Sequence, residues 1–167
     1  MTISVGQALP AGTLYEFFEV EKDGCSIGPN PIKVEEAVKG KKVVIFGLPG
    51  AYTPTCSAKH VPGYVAHYDA LRAKGVDEVW CLSVNDAFVM HAWGKDQQVG
   101  EKVRMMGDGS ATYSQALGLT LDLTARGMGL RSDRYAMIVD NGMVTWLGRE
   151  APGKFEVSSA ESVLTQL

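Results

Sequence analysis

Two uninterrupted apolar runs, Val43-Val44-Ile45-Phe46-Gly47-Leu48 and Val79-Trp80-Cys81-Leu82-Ser83-Val84, constrain the fold of this chain more than any other feature. Neither alternates polar with apolar residues, so a strand made from either must bury both faces. Strands of that kind lie inside a sheet covered by helices. The intervening segment supplies one cover. Within residues 54–74, Ala58, Val61, Val65, Tyr68 and Leu71 recur three or four positions apart, the period of an amphipathic helix. Pro62-Gly63 is expected to break or kink that helix.

The rest of the chain extends the pattern. Residues 14–20 carry aromatic and β-branched side chains and read as a strand. Residues 33–39 read as a short helix ended by Gly40. Asn85 or Asp86 can cap a helix with Phe88, Val89, Ala92 and Trp93 on one face. Residues 103–106 read as a short strand, and 111–117 as a short helix ended by Gly118. Residues 134–139 and 143–147 flank Asn141-Gly142, the signal of a tight β-hairpin. Ser158 and Glu161 have capping-box spacing before a C-terminal helix over 160–167. This order predicts an α/β fold with a mixed central β-sheet flanked by helices. With no internal repeat or linker-like stretch, residues 1–167 are expected to form one domain.

Charge and composition exclude several classes. The net charge is −3 and no basic block stands out, so nucleic-acid binding has no electrostatic support. No apolar stretch reaches the ~18–20 residues that span a bilayer. The N-terminus lacks the charged start and long apolar run of a secretory signal, and a cytoplasmic protein is expected. The three cysteines, Cys25, Cys56 and Cys81, are too sparse for a disulfide framework and contain no Cys-x-x-Cys pair.

Cys56 closes the run Pro49-Gly50-Ala51-Tyr52-Thr53-Pro54-Thr55-Cys56, directly after the first apolar strand. Thr53 suits an N-cap and Pro54 the first helical position, which puts Cys56 in the first turn. Backbone N–H groups there lack intrahelical partners and favour a thiolate, the nucleophilic form. The Thr53 oxygen is expected near the Cys56 N–H, leaving the hydroxyl proton free for the sulfur or a ligand. Pro49 shields one side without offering a backbone donor. His60, one turn on, could be a metal partner, a proton acceptor or a solvated side chain; no ligand cluster completes a metal site, and a structural or hydrogen-bonding role is expected. Cys81 reads as a buried core cysteine, or as a second thiol able to pair with Cys56 after rearrangement. Cys25 reads as a loop residue. Arg134 opens an apolar strand and reads either as the partner of a carboxylate such as Asp133 or as a fixed charge beside the Cys56 sulfur.

These residues resemble the peroxiredoxins. Pro49, Thr53 and Cys56 stand in the family's Pro-x-x-x-Thr-x-x-Cys pattern. The longer stretch to Lys59-His60-Val61-Pro62-Gly63-Tyr64, together with Asn85-Asp86, Ala92-Trp93, Arg131-Ser132-Asp133-Arg134-Tyr135 and Phe155-Glu156-Val157-Ser158-Ser159-Ala160, is similar to the type II, or type five, group. The resemblance implies a thioredoxin-like fold and a thiol peroxidase that reduces hydrogen peroxide and alkyl hydroperoxides through a Cys56 sulfenic acid. It implies roles for Thr53, Arg134 and Pro49 at the peroxide, and no cofactor or metal. The family often has Gly where this chain has Thr55, which implies a narrower pocket. The C-terminal stretch that carries a resolving cysteine in some members has none here. Cys81 matches a second cysteine of members that draw electrons from glutaredoxin and glutathione. External reduction by glutathione or glutaredoxin is therefore the expected route, with a Cys56–Cys81 disulfide reduced by thioredoxin as the alternative. A homodimer is also implied. A peroxide sensor passing oxidation to a partner protein would use the same thiol.

Overall fold

Both apolar runs form strands with five of six residues buried, and they pair in parallel. The computed structural model describes residues 1–19 and 27–167, so Val20 and Cys25 lie outside the described residues. In chain order the elements are β1 (Thr13–Phe18), β2 (Gly28–Lys33), α1 (Val34–Ala37), β3 (Lys42–Gly47), a π-helical segment (Cys56–His60), α2 (Val61–Ala66), α3 (Tyr68–Ala73) and β4 (Glu78–Ser83). There follow α4 (Ala87–Asp96), β5 (Arg104–Gly107), α5 (Thr112–Leu117), β6 (Thr120–Leu123), β7 (Gly129–Ser132), β8 (Tyr135–Asp140), β9 (Met143–Arg149) and α6 (Ala160–Leu164).

Seven strands make one mixed sheet in the order β2-β1-β5-β4-β3-β8-β9, with β3, β4 and β5 parallel at its centre. β6 and β7 form a separate antiparallel pair. Side chains alternate across the central strands. Val44, Phe46, Val79 and Cys81 face one core, covered by α2, α3, α4 and α6. Val43, Ile45, Trp80 and Leu82 face the other, with α1 and α5. The reactive loop after β3 lies on the first side, because Cys56 joins the core of Phe46 and Cys81.

The hairpin forms as expected, with Asn141 and Gly142 both at positive φ, 50° and 82°. β2, Gly-Pro-Asn-Pro-Ile-Lys, escapes a sequence reading because two prolines argue against a strand. It is tolerated because β2 is the sheet's edge.

Three local expectations are corrected. The helix over 54–74 does not break at Pro62-Gly63. Pro62 lies in the first turn of α2, where a missing N–H costs little, and the irregularity precedes it as the π-helical segment, closed by Val61 N–H on the Cys56 carbonyl. The break comes at His67. On α4 Asp86 is the cap, accepting from Val89 N–H, but the buried face is Ala87, Met90, Trp93 and Gly94, while Phe88 is 55% exposed. Close approach selects that face: a Cβ on Gly94 would lie 2.8 Å from Met105. At α6 the capping residue is Ser159, not Ser158.

An ion network ties β1, β4 and β5 together. Arg104 donates to both Glu16 and Glu78, while Lys41 and Trp80 donate to Glu78. Burial alone would raise the Glu78 pKa, but the hydrogen bonds from Lys41, Trp80 and Arg104 outweigh it and hold it at about 2. A carboxylate depressed in the fold stabilises above its unfolded pKa, about 4.3, and that contribution fades as pH falls through the folded value. Glu78→Gln is therefore expected to cost about 1–3 kcal/mol near neutral pH in denaturant melts. Its gap from wild type should narrow as pH falls below about 4. A gap that is constant across that range would refute the account.

Candidate active site

The end of β3 leaves no room for side chains. A Cβ on Gly47 would lie 2.2 Å from the Tyr135 ring. The chain then turns sharply, with Tyr52 at φ 64°, an uncommon conformation for a bulky residue and one that has to be held by its surroundings. Asn85, offered above as a cap, holds this loop instead: its Oδ1 accepts from Ala51 N–H at 3.0 Å and from Ser83 Oγ at 2.7 Å. The Tyr52 hydroxyl donates to Asp96 at 2.7 Å, fastening the loop to α4. Arg131 stands on the other side of Gly50 and donates to the carbonyls of Met128 and Val84. It braces the loop, whereas Arg134, three residues on, reaches the thiol.

Thr53 differs from expectation. Its hydroxyl proton is not free, since it donates to the Gly50 carbonyl at 2.7 Å. With the proton committed, the Thr53 oxygen is left as an acceptor.

Arg134 settles between its two readings. Asp133 pairs with Arg149 at 2.6 Å and takes only the backbone N–H of Arg134. The guanidinium goes elsewhere: Nη2 donates to Cys56 Sγ at 3.1 Å and Nη1 to His60 Nδ1 at 2.8 Å. Because a guanidinium can only donate, His60 Nδ1 must accept, which puts the ring proton on Nε2, 3.0 Å from the Ser158 carbonyl. Burial, and next the Arg134 charge, push the His60 pKa down to about 3. His60 is thus a neutral, fully buried orienting group for Arg134.

That carbonyl is itself held in place. Ser158 also accepts from the Tyr64 hydroxyl at 2.8 Å. The Glu150 carboxylate gathers the N–H groups of Glu156, Val157 and Ser158 and the Ser158 hydroxyl. Burial works against the ionised form of Glu150, but these donors prevail and its pKa is lowered. Phe155, on the same strap, lies edge-on to His60 with centroids 5.0 Å apart and 5.9 Å from the Arg134 guanidinium carbon. The spacing of His60 to Cys56 was visible in the sequence. Glu150 carried no motif signal, and Ser158 was read only as a helix cap, because their work here depends on a strap that returns from the far end of the sheet.

Cys81 is completely buried in β4, paired across the sheet with Phe46 and Met105. Burial pushes its thiol pKa well above the ordinary cysteine value, so it is held as the neutral thiol. Cys56 and Cys81 are both free thiols. Among the described residues no group of three or more His, Cys, Asp and Glu side chains is placed to hold a metal ion, and no helix is long and apolar enough to cross a membrane.

Cys56 is wholly buried, and Arg134, whose guanidinium bonds its sulfur, walls a groove of about 560 Å³ together with Pro49, Thr53 and Thr55. A thiol under a fixed guanidinium, an acceptor hydroxyl nearby and an opening wide enough for a small molecule make a site for nucleophilic attack on a polar, oxygen-bearing substrate.

Residues 4–164 match the Redoxin family. Peroxiredoxin-2D of Arabidopsis thaliana is 47% identical, the match covering 99% of this chain and 98% of that protein. The crystal structure of reduced Prx3 from Vibrio vulnificus in complex with hydrogen peroxide is 50% identical, with a TM-score of 0.91 and 99% of each chain covered. A Burkholderia cenocepacia structure provisionally described as a thioredoxin reductase is 63% identical, with a TM-score of 0.98 over 100% of this chain and 99% of that one. The fold is the thioredoxin-like fold of thiol redox proteins. Within that class the chain belongs to the peroxiredoxins, the thiol peroxidases.

Proposed function

We propose that Cys56 is the peroxide-reducing thiol and that an external thiol, glutathione or glutaredoxin, restores it. The observation that carries the first part is the Arg134 Nη2 donor 3.1 Å from Cys56 Sγ. The thiolate attacks one peroxide oxygen in line with the O–O bond. The S–O bond forms as the O–O bond breaks, the sulfur becomes a sulfenic acid, and the departing oxygen takes a proton as water or alcohol. Thr53, its proton committed to Gly50, accepts the peroxide O–H and aims the substrate. Arg134 meets the charge that develops on the oxygens, and Pro49 walls the pocket.

The second part rests on Cys81. It is buried between two strands and held neutral, so it is a poor partner for a sulfenic acid unless β4 is disturbed. The competing route, a Cys56–Cys81 disulfide reduced by thioredoxin, has one observation in its favour: both sulfurs belong to one hydrophobic cluster. NADPH oxidation coupled through glutathione reductase, glutathione and glutaredoxin tests the whole. Peroxide-dependent turnover is expected, and its absence with every thiol donor would sink the reading. Cys81→Ser is expected to keep most of that turnover; collapse to a single turnover would give the resolving role to Cys81.

A further inference from the structure

Helix α4 holds the reactive segment on both sides of Cys56. Before the thiol, the Tyr52 hydroxyl donates to Asp96 Oδ2 at 2.7 Å. After it, Ser57 Oγ accepts from the indole Nε1 of the buried Trp93 at 3.1 Å. Trp93 and Asp96 share one face of α4, at the helical i, i+3 spacing. The Tyr52 and Trp93 rings lie 6.3 Å apart, tilted by 48°. The anchor is firm, since Asp86 caps α4 and Ala87, Met90, Trp93 and Gly94 are buried against the core.

The two attachments are not equivalent. Ser57 sits in the helical run, with its N–H closed on the Thr53 carbonyl at 3.0 Å. Tyr52 sits at φ 64°, which a bulky residue keeps only where its surroundings impose it. Its side chain is 54% exposed, so packing holds it weakly and the bond to Asp96 carries the constraint. That bond raises the Tyr52 pKa above the ordinary phenol value, so the donor proton stays in place at neutral pH. The turn around Tyr52 is otherwise closed by a long bond, Thr53 N–H to the Gly50 carbonyl at 3.4 Å. The same carbonyl takes the Thr53 hydroxyl proton at 2.7 Å. A change in the Tyr52 backbone would therefore part Gly50 from Thr53, free that proton and turn the Thr53 oxygen away from its acceptor role.

Resting on the assignment of Cys56 as the peroxidatic thiol, we propose that Asp96, 44 residues from Tyr52 along the chain, is a positioning residue for peroxide reduction. Through the Tyr52 hydroxyl it holds the turn that presents the Thr53 oxygen to the substrate. The chemistry at the sulfur is unchanged. The clasp sets how well the peroxide is aligned for in-line attack.

The test compares two reactions of the same thiol: oxidation by hydrogen peroxide in stopped flow, and alkylation by iodoacetamide, which has no use for the Thr53 acceptor. The ratio of the two second-order rate constants is the readout, since a general loosening of the fold would not single out peroxide. In Asp96→Ala and in Tyr52→Phe the ratio is expected to fall about tenfold, a modest misplacement of a positioned reactant. Asp96→Asn keeps an oxygen that accepts from the phenol, and should return the ratio to within about twofold of wild type. The double variant Tyr52→Phe, Asp96→Ala should be no worse than either single one, because both remove the same bond. A wild-type ratio in Asp96→Ala, an Asp96→Asn protein as impaired as the alanine variant, or single effects that multiply in the double variant would each overturn the clasp. If Asp96→Ala does not fold, Tyr52→Phe, which loses a single exposed oxygen, decides the matter by the same ratio. Wild-type oxidation by peroxide keeps the two readings apart. If it is absent, the assignment of Cys56 fails; if it is present and the variants keep the wild-type ratio, only the role of Asp96 fails.

Discussion

Cys56→Ser is expected to abolish peroxide turnover while leaving the fold in place. A serine hydroxyl is not ionised at neutral pH and cannot carry the oxygen that a sulfur accepts, so the covalent step is lost rather than slowed. The substitution is sterically mild. Serine is smaller than cysteine, and Arg134 Nη2, 3.1 Å from the sulfur, can donate to a hydroxyl oxygen in its place. A thermal melt should therefore show a cooperative transition close to that of wild type. Stopped-flow mixing with hydrogen peroxide should show no consumption beyond the uncatalysed rate. Measurable peroxide-dependent turnover in a folded Cys56→Ser protein would move the chemistry to another residue. The buried, neutral Cys81 is poorly suited to take it over.

The central sheet was readable because its signals are local. Continuous apolar runs become strands buried on both faces, and Asn141-Gly142 fixes a hairpin through φ alone. Cys56, Thr53 and Pro49 were readable for the same reason, since eight consecutive residues make their loop. What stayed hidden depends on where segments meet in space. The prolines of β2 conceal a strand that only an edge position permits. The α4 face could not be chosen without knowing that Gly94 meets Met105. The Thr53 proton was left free for the sulfur or a ligand because the Gly50 carbonyl, three residues back, becomes its acceptor only once the loop has turned. Arg134 was named from its resemblance to a family position, yet only the sheet order explains its arrival. β8 pairs beside β3 with Tyr135 opposite Gly47, so the residue just before β8 reaches the turn just after β3. The supports for that arginine were the least legible. His60 was favoured as a hydrogen-bonding residue but without its partners, and the Glu150–Ser158 strap showed only as a stretch resembling the family from Phe155 on, with the role of Glu150 unread.

Those supports bear on the second large effect. Arg134→Ala is expected to lower the second-order rate constant for peroxide by about 10²–10³-fold, the scale of losing one preorganised donor to developing negative charge. Arg134→Lys should recover little. Lysine carries a compact charge without a planar fork, and the site uses two arms of that fork at once, one on Cys56 Sγ and one on His60 Nδ1. His60 does not compensate by taking up a proton, because burial and the arginine charge hold its pKa at about 3, and removing the arginine leaves the burial, the larger cause, in place. Arg134→Ala instead leaves a buried ring nitrogen without its donor, a loss of about 1–3 kcal/mol that melts should register. Activity and stability are therefore expected to fall together in the alanine variant. In the lysine variant stability should recover further than activity, because one ammonium can satisfy His60 while leaving the sulfur and the peroxide oxygens without a second donor. A lysine variant with near wild-type rates would show that positive charge alone suffices and that the aimed fork does not matter.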